Sequence, residues 1–451
     1  MREERDGLQS SIGLYAPTFL KMHINCYEPL DNFQSLSPRS AAAFLHEYIH
    51  FLQDITTTSG LRNTITIVDF MKSVNMVQRE STDRIMPIPY KLDENRQLGA
   101  HYNGPIQKLH AGTIERFNKG QVSGTTTRLE TKSVGYKMVD IEIVELEVTS
   151  ETGRKYHIGS HAVLESMAYT IENMVYPNEI EAPGDFCYTA VKELILFVYP
   201  ALQEDPSFIV ALCDATLMYY NSGAILYRTL LEMKAAHFVP KAVQDIYDFV
   251  HSRIEIEYGI MDNLHAIFNN HTLTAASMLS DYFTIDIFKE NKAWIDYTLK
   301  SANLIRNSNW KFFIDLANGG PISENAMFSK LLNRIGMPMT TNAYNQAYFY
   351  TPISDNEKIM PQALWAVNQI FKIYVKPSSV RKCNMEDWCR ACCKEQNIED
   401  YTDYHCLEDP WNRYKNGGDL CTFSQVWRSW GMEAEIPIER PKSSVQFQYQ
   451  S

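Results

Sequence analysis

Apolar and polar residues alternate in four distinct ways along the chain, and each pattern predicts a different kind of element. Residues 12–30 are rich in β-formers (LYAPTFLKMHINCY) and close on Pro and Asp, which predicts extended chain. A helix start follows: Ser37 can cap free amides, and Pro38 fits the first turn without losing a needed hydrogen bond. The run Ala41, Ala42, Ala43, Phe44, Leu45 favours helix strongly, so a helix is expected to about Thr56, ahead of Gly60. Residues 61–80 predict a further helix, and 84–110, polar and punctuated by Pro and Gly, predict irregular chain.

From 111 to 158 the period becomes two. TTTRLETKS, YKMVDIEIVELEVTS and RKYHIG, split by Gly135 and Gly153, predict β-hairpins. A helix over roughly 160–175 follows, with Ser160 as its candidate cap. Beyond Pro183 the pattern is helical to about 376, with Asp205-Pro206 opening one helix and Gly223 closing it. Past Lys376-Pro377-Ser378-Ser379 helical periodicity fades and cysteines cluster. The expected fold class is α+β: residues 1–200 as a catalytic domain with a small sheet beside the first long helix, 201–376 as a helical region packed on it, and 377–451 as a Cys-rich module. The chain has no internal repeat and no low-complexity tract.

Composition narrows the function classes. The 451 residues are 45% apolar and 12% aromatic, enough for sizeable cores. A formal charge of -12 and the lack of a basic block argue against nucleic acid as a partner. The polar start MREERDGLQSS has no signal-peptide pattern, and the most apolar stretches carry Lys192, Glu193 or Asp214, so a cytoplasmic protein without membrane spans is expected. Nine cysteines, six of them between Cys383 and Cys421, fit reduced thiols or metal ligands better than a secreted disulfide framework.

The strongest chemical signal is His46-Glu47-Tyr48-Ile49-His50. On a helix, residues four apart share a face, so His46 and His50 can point two imidazoles at one ion. Glu47 need not ligate, and can take a proton from a water held by that ion. Catalytic zinc takes a third protein ligand and keeps one position open. Glu165, in His161-Ala162-Val163-Leu164-Glu165-Ser166-Met167-Ala168, is the leading candidate, because Ser166 and Ala168 permit close helix packing. Glu172, His161, His157 and Asp69 are the alternatives, and Asp54 is a candidate orienting partner one turn beyond His50. A donor for the developing oxyanion is also needed, with Tyr169, Tyr176, His157 and His161 as candidates.

With these residues in place, the chain resembles the gluzincin group of zinc metallopeptidases, whose pattern is HExxH followed by a glutamate on a later helix. The resemblance covers roughly residues 15–200. It implies a zincin-like fold, one catalytic Zn2+ on His46, His50 and Glu165, Glu47 as general base, and a protein or peptide substrate. It departs from thermolysin-like members in two ways: Tyr169 stands where many carry an aspartate four residues after the ligand glutamate, and more than a hundred residues separate His50 from Glu165. Intracellular bacterial HExxH proteins, including phage-exclusion proteases of the Lit type, are a looser likeness.

In the tail, Cys389-Arg390-Ala391-Cys392 can present two thiolates to one metal, with Cys406 and Cys421 as the second pair and Cys383 or His405 as substitutes. A second, structural Zn2+ is therefore one expectation. Buried reduced cysteines packed with Trp388, Trp411, Trp427 and Trp430 are the other. The leading functional expectation is a zinc metallopeptidase restrained by narrow specificity or a regulatory partner. Its rival is a noncatalytic helical interaction protein with a structural metal site and a partner-binding tail.

Overall fold

The computed structural model describes residues 13–80, 99–134, 137–149, 154–177, 179, 184–202, 205–252, 263–353, 358–375, 382–416 and 421–432. Gly135, Gly153, Pro183, the 376–379 boundary and the segment 84–98 lie outside the described residues.

The extended start becomes two strands, β1 (Gly13–Ala16) and β2 (Lys21–Ile24), paired antiparallel from Gly13↔Ile24 to Ala16↔Lys21. Helix α1 (Pro38–Thr56) begins where the cap residues place it: Ser37 Oγ accepts the amide of Ser40 at 3.3 Å, and Pro38 fills the first turn. α2 (Thr58–Glu80) follows almost without a break. α3 (Gly99–Ala111) corrects the expectation of irregular chain there. Gly104 and Pro105 read as punctuation, yet Ile106 and His110 are buried on a face packed against α2, and that packing outweighs propensity.

The period-two region is a three-stranded antiparallel sheet, β3 (Gln121–Val134), β4 (Lys137–Thr149) and β5 (Lys155–Ile158). It leads into α4 (Ser160–Val175), whose cap position is Gly159 rather than the expected Ser160. A Cβ at Gly159 would meet Ala111 O at 2.4 Å, so close backbone approach decides that residue.

The expected helical region follows as α5 (Ala190–Val198), α6 (Pro206–Thr216), α7 (Ser222–Ala235), α8 (Val243–His251), α9 (Leu264–Ser280), α10 (Lys289–Ser308), α11 (Phe312–Ala317) and α12 (Ala326–Ile335). Asp205 caps α6 by accepting the Ser207 amide at 2.8 Å. Gly223 does not close that helix. It sits in the first turn of α7, where a Cβ would meet Ile158 O at 2.3 Å.

Residues 337–350, read as helical, are instead two strands, β6 (Met337–Thr341) and β7 (Ala347–Tyr350). β6 is buried at every position, so it lacks the alternation that marks a half-exposed strand. It runs parallel to β2, giving a four-stranded sheet in the order β1-β2-β6-β7. The sheet beside α1 is this one, drawn from segments that lie far apart in the chain, and not the β3–β5 hairpin region. Tyr48 OH donates to Gly336 O at 2.9 Å, fastening α1 to the turn into β6.

After α13 (Gln362–Val375), the tail is more helical than its sequence suggests, with α14 (Glu386–Glu395), α15 (Tyr404–Glu408) and α16 (Thr422–Ser429). Each is short, and α14 buries Glu386, Cys389 and Cys393 at helical spacing. Trp427 is buried and Trp430 Nε1 donates to Tyr282 O at 2.9 Å, which holds the tail on the helical region. One buried apolar cluster runs from Tyr15 to Met432. The fold is α+β and mainly helical, and no described helix is long and apolar enough to cross a membrane.

Candidate metal centre

α1 and α4 pack side by side, and the helical spacing brings three ligating atoms together. His46 Nε2 and His50 Nε2 are 3.1 Å apart, and each lies 3.4 Å from Glu165 Oε2. A tetrahedral ion with bonds of about 2.1 Å has its ligand atoms about 3.4 Å apart, so the triangle has the dimensions of one face of such a site. Among the described residues no other group of three His, Cys, Asp or Glu side chains meets this way. His46 is buried, while His50 and Glu165 are partly exposed.

The outer nitrogens of both rings are committed. His46 Nδ1 lies 2.8 Å from Glu172 Oε2. His50 Nδ1 lies 2.8 Å from Gln53 Oε1, and Gln53 Nε2 in turn donates to Leu164 O at 3.1 Å. A carboxylate and an amide oxygen are acceptors, so both Nδ1 atoms carry a proton, and in the neutral rings both Nε2 lone pairs point at the triangle. Two lone pairs and a carboxylate oxygen facing one another at 3.1–3.4 Å repel unless a cation or a proton sits among them. The donor set therefore fits a metal ion of the imidazole–carboxylate preference, such as zinc.

The charges agree with this reading. Burial by itself would lower His46, but its bonds to Glu165 and Glu172 raise it well above the ordinary value. His50 is raised in the same way, against its own burial, by Glu165. Burial would raise Glu165, yet the two histidines hold it well below the usual carboxylate range. The cluster attracts positive charge, whether proton or metal.

Glu47 is buried one position from His46, and burial pushes it up to about 7; the histidines oppose the rise while Glu165 and Glu172 add to it. Its side chain lies against β1. A Cβ at Gly13 would come within 2.6 Å of Glu47 Cγ and 2.7 Å of its Oε1, so a larger residue there would push the Glu47 carboxyl from its place.

Several candidates fall elsewhere. Asp54 does not orient a histidine; it accepts from Tyr15 OH at 2.8 Å and from the Thr18 amide at 2.7 Å, tying β1 to α1. Asp69 lies on α2, and His157 sits on β5 opposite Glu145. Tyr176 OH accepts the Ile322 amide at 2.9 Å, an anchoring role. Glu172 orients His46 rather than ligating, seven residues after Glu165 and so on the same helical face. His161 Nδ1 stands 3.9 Å from Glu165 Oε1, and its burial lowers its pKa.

Sequence reasoning missed Gln53 and Tyr188. Gln53 carries a spacing signal, three residues after His50. Tyr188 carries none, because it lies on the turn Phe186–Tyr188. Ser166 fixes that turn, donating to Cys187 O at 2.7 Å and accepting the Val191 amide at 3.3 Å. The Tyr188 ring is 5.9 Å from that of His46 and 5.9 Å from that of Tyr169. Burial and the nearby Glu165 push its phenol pKa up, so it keeps its proton.

In the tail, Cys389, Cys392, Cys406 and Cys421 do not gather three ligand atoms as the histidines do. Cys383 N donates to Cys406 O at 2.7 Å, and His405 is engaged with Asp409 at 2.5 Å. Burial raises Cys383 well above its ordinary value and Cys389 to about 12, with neighbouring cysteines, Cys406 and Cys421 among them, adding to both shifts. No family model, curated protein or solved structure matches the chain.

Proposed function

We propose that this chain is a zinc-dependent peptidase, with His46, His50 and Glu165 holding the ion and Glu47 as general base. The observation that carries the proposal is the triangle of two Nε2 lone pairs and one carboxylate oxygen at 3.1–3.4 Å, with both outer nitrogens already committed. When bound at such a site, zinc lowers the pKa of a coordinated water to about 7 and polarises a carbonyl.

The chain's own groups supply the rest. Glu47, with its pKa raised towards neutrality, can accept the proton of an attacking water and pass it to the leaving amine. Beside a dication held by His46, His50 and Glu165, the Glu47 carboxyl would stand ionised. Tyr188, still protonated and beside His46, is the better-placed donor for a developing oxyanion, and His161 beside Glu165 is the second. Glu172 takes the orienting role that gluzincins of the thermolysin type give to an aspartate four residues after the ligand, here three positions later. This supports the gluzincin likeness at the centre, with a zincin-like fold as part of the same proposal.

The test is metal content followed by hydrolysis of a quenched-fluorescent peptide library. Wild type should bind one zinc at this centre, and Glu47→Gln should keep it while losing about 10²–10⁴-fold in rate. Undiminished hydrolysis by Glu47→Gln, or a wild type that binds no zinc, would remove the proposal.

A further inference from the structure

Gln53 is fully buried on the last turns of α1, and both ends of its amide are used. Leu164 O can only accept, so the nitrogen of the amide must face it, at 3.1 Å. That fixes the amide without a flip and turns Oε1 to His50 Nδ1 at 2.8 Å. An oxygen there demands N–H at Nδ1, which leaves the His50 lone pair on Nε2, the atom facing His46 and Glu165. The second bond reaches the residue next to Glu165. One side chain thus sets the tautomer of a ring on α1 and ties that ring to the carboxylate-bearing turn of α4.

We propose that Gln53 is a positioning residue for the centre: it locks His50 in the Nδ1–H tautomer and couples it to the Glu165 turn, so that a divalent transition metal meets a preformed pair of ligands. The inference rests on the metal reading above. A neutral imidazole left to itself populates both tautomers, and one of them would present N–H to the ion. Packing alone does not supply this selection, because an apolar side chain of the same shape fills the space without choosing a tautomer.

Two readouts test it, neither of them activity. In the metal-free protein, at a pH high enough to leave His50 neutral, long-range ¹H–¹⁵N correlation of the imidazoles should show His50 with hydrogen on Nδ1 in wild type, and a mixture or Nε2–H in Gln53→Met. Zinc affinity, measured by competition with a chromophoric chelator, should fall about 10–100-fold in Gln53→Met. Gln53→Glu retains an acceptor at the ring and should recover most of that loss. The proposal is overturned if wild-type His50 carries its hydrogen on Nε2, a result that needs no variant to fold, or if Gln53→Met binds zinc as tightly as wild type. A wild type that binds no zinc, with His50 still in the Nδ1–H form, instead defeats the metal reading and leaves the tautomer lock standing as a fact of the fold.

Discussion

The two ends of the working half of α1 carry buried charge in opposite states of completion. At its C-terminus, Arg306 and Asp214 are both wholly buried, and every guanidinium N–H is used: Nε on Thr56 O, Nη1 on Asp214 Oδ2 and Trp310 O, Nη2 on Asp214 Oδ1 and Thr56 Oγ1. Tyr247 OH adds a further bond to Asp214 at 2.7 Å. Nearer the middle of the helix, His46, His50 and Glu165 turn acceptor atoms towards one another and satisfy only their outer nitrogens. A network that serves the fold closes on itself. On the metal reading proposed above, a network prepared for an ion leaves the ion's share of the bonding open.

The strongest way to break this contrast is to open the closed network. Arg306→Met should cost about 3–5 kcal/mol in urea unfolding, since it strands the Asp214 carboxylate in the interior. Replacing both partners, Arg306→Met with Asp214→Leu, should recover much of that loss. If the single and double variants are equally unstable, the bonds to Thr56 and Trp310 matter more than the ion pair, and the closed network is a helix cap rather than a charge pair.

How much of this was legible beforehand follows from what each feature depends on. His46, Glu47 and His50 share one helix, so spacing alone places them, and Ser37-Pro38 fixes where that helix starts. Glu165 was legible as a glutamate among small residues on a second helix, although its facing α1 is a tertiary fact. Glu172 was weighed as a ligand because the sequence cannot tell a carboxylate two turns along that reaches the metal from one that reaches a ring nitrogen behind it. Tyr188 and the Arg306–Asp214 pair arise from contacts between distant segments, with no periodic trace. β6 was hidden by its own burial, and α3 by a Gly and a Pro that its packing tolerates.

Adding zinc sharpens the comparison from the other side. At a free zinc concentration a hundredfold above its dissociation constant, wild type should gain about 2.7 kcal/mol of stability, reversed by a chelator. His50→Ala should abolish the gain, whereas Arg306→Met should retain it on a lowered baseline. A zinc response that survives His50→Ala would place the binding elsewhere.

Glu47 offers a comparable but pH-dependent signature of the open end. Its pKa rises from 4.5 unfolded to about 7 folded, so the fold favours the neutral carboxyl. That contribution is full below pH 4.5 and is lost as pH rises through about 7. In chelator-treated protein, Glu47→Gln should therefore nearly match wild type near pH 4.5 and exceed it by about 3 kcal/mol near pH 8. A difference that stays constant with pH would mean that Glu47 is not held in an environment hostile to its charge.

The smallest effect separates the helix from the centre it carries. Ser37→Ala removes the cap bond to the Ser40 amide, which is worth about 1 kcal/mol at most helix starts. Its loss frays the first turn, while His46 and His50 lie on turns held by Glu172, Gln53 and the Tyr48–Gly336 bond. Urea unfolding should register the full cost, and zinc affinity should not change. If affinity falls in step with stability, the ligand geometry depends on the whole length of α1 and not on the side chains that brace each ring, and the distinction drawn between a closed, fold-bearing end and a locally braced, ion-ready centre would have to be given up.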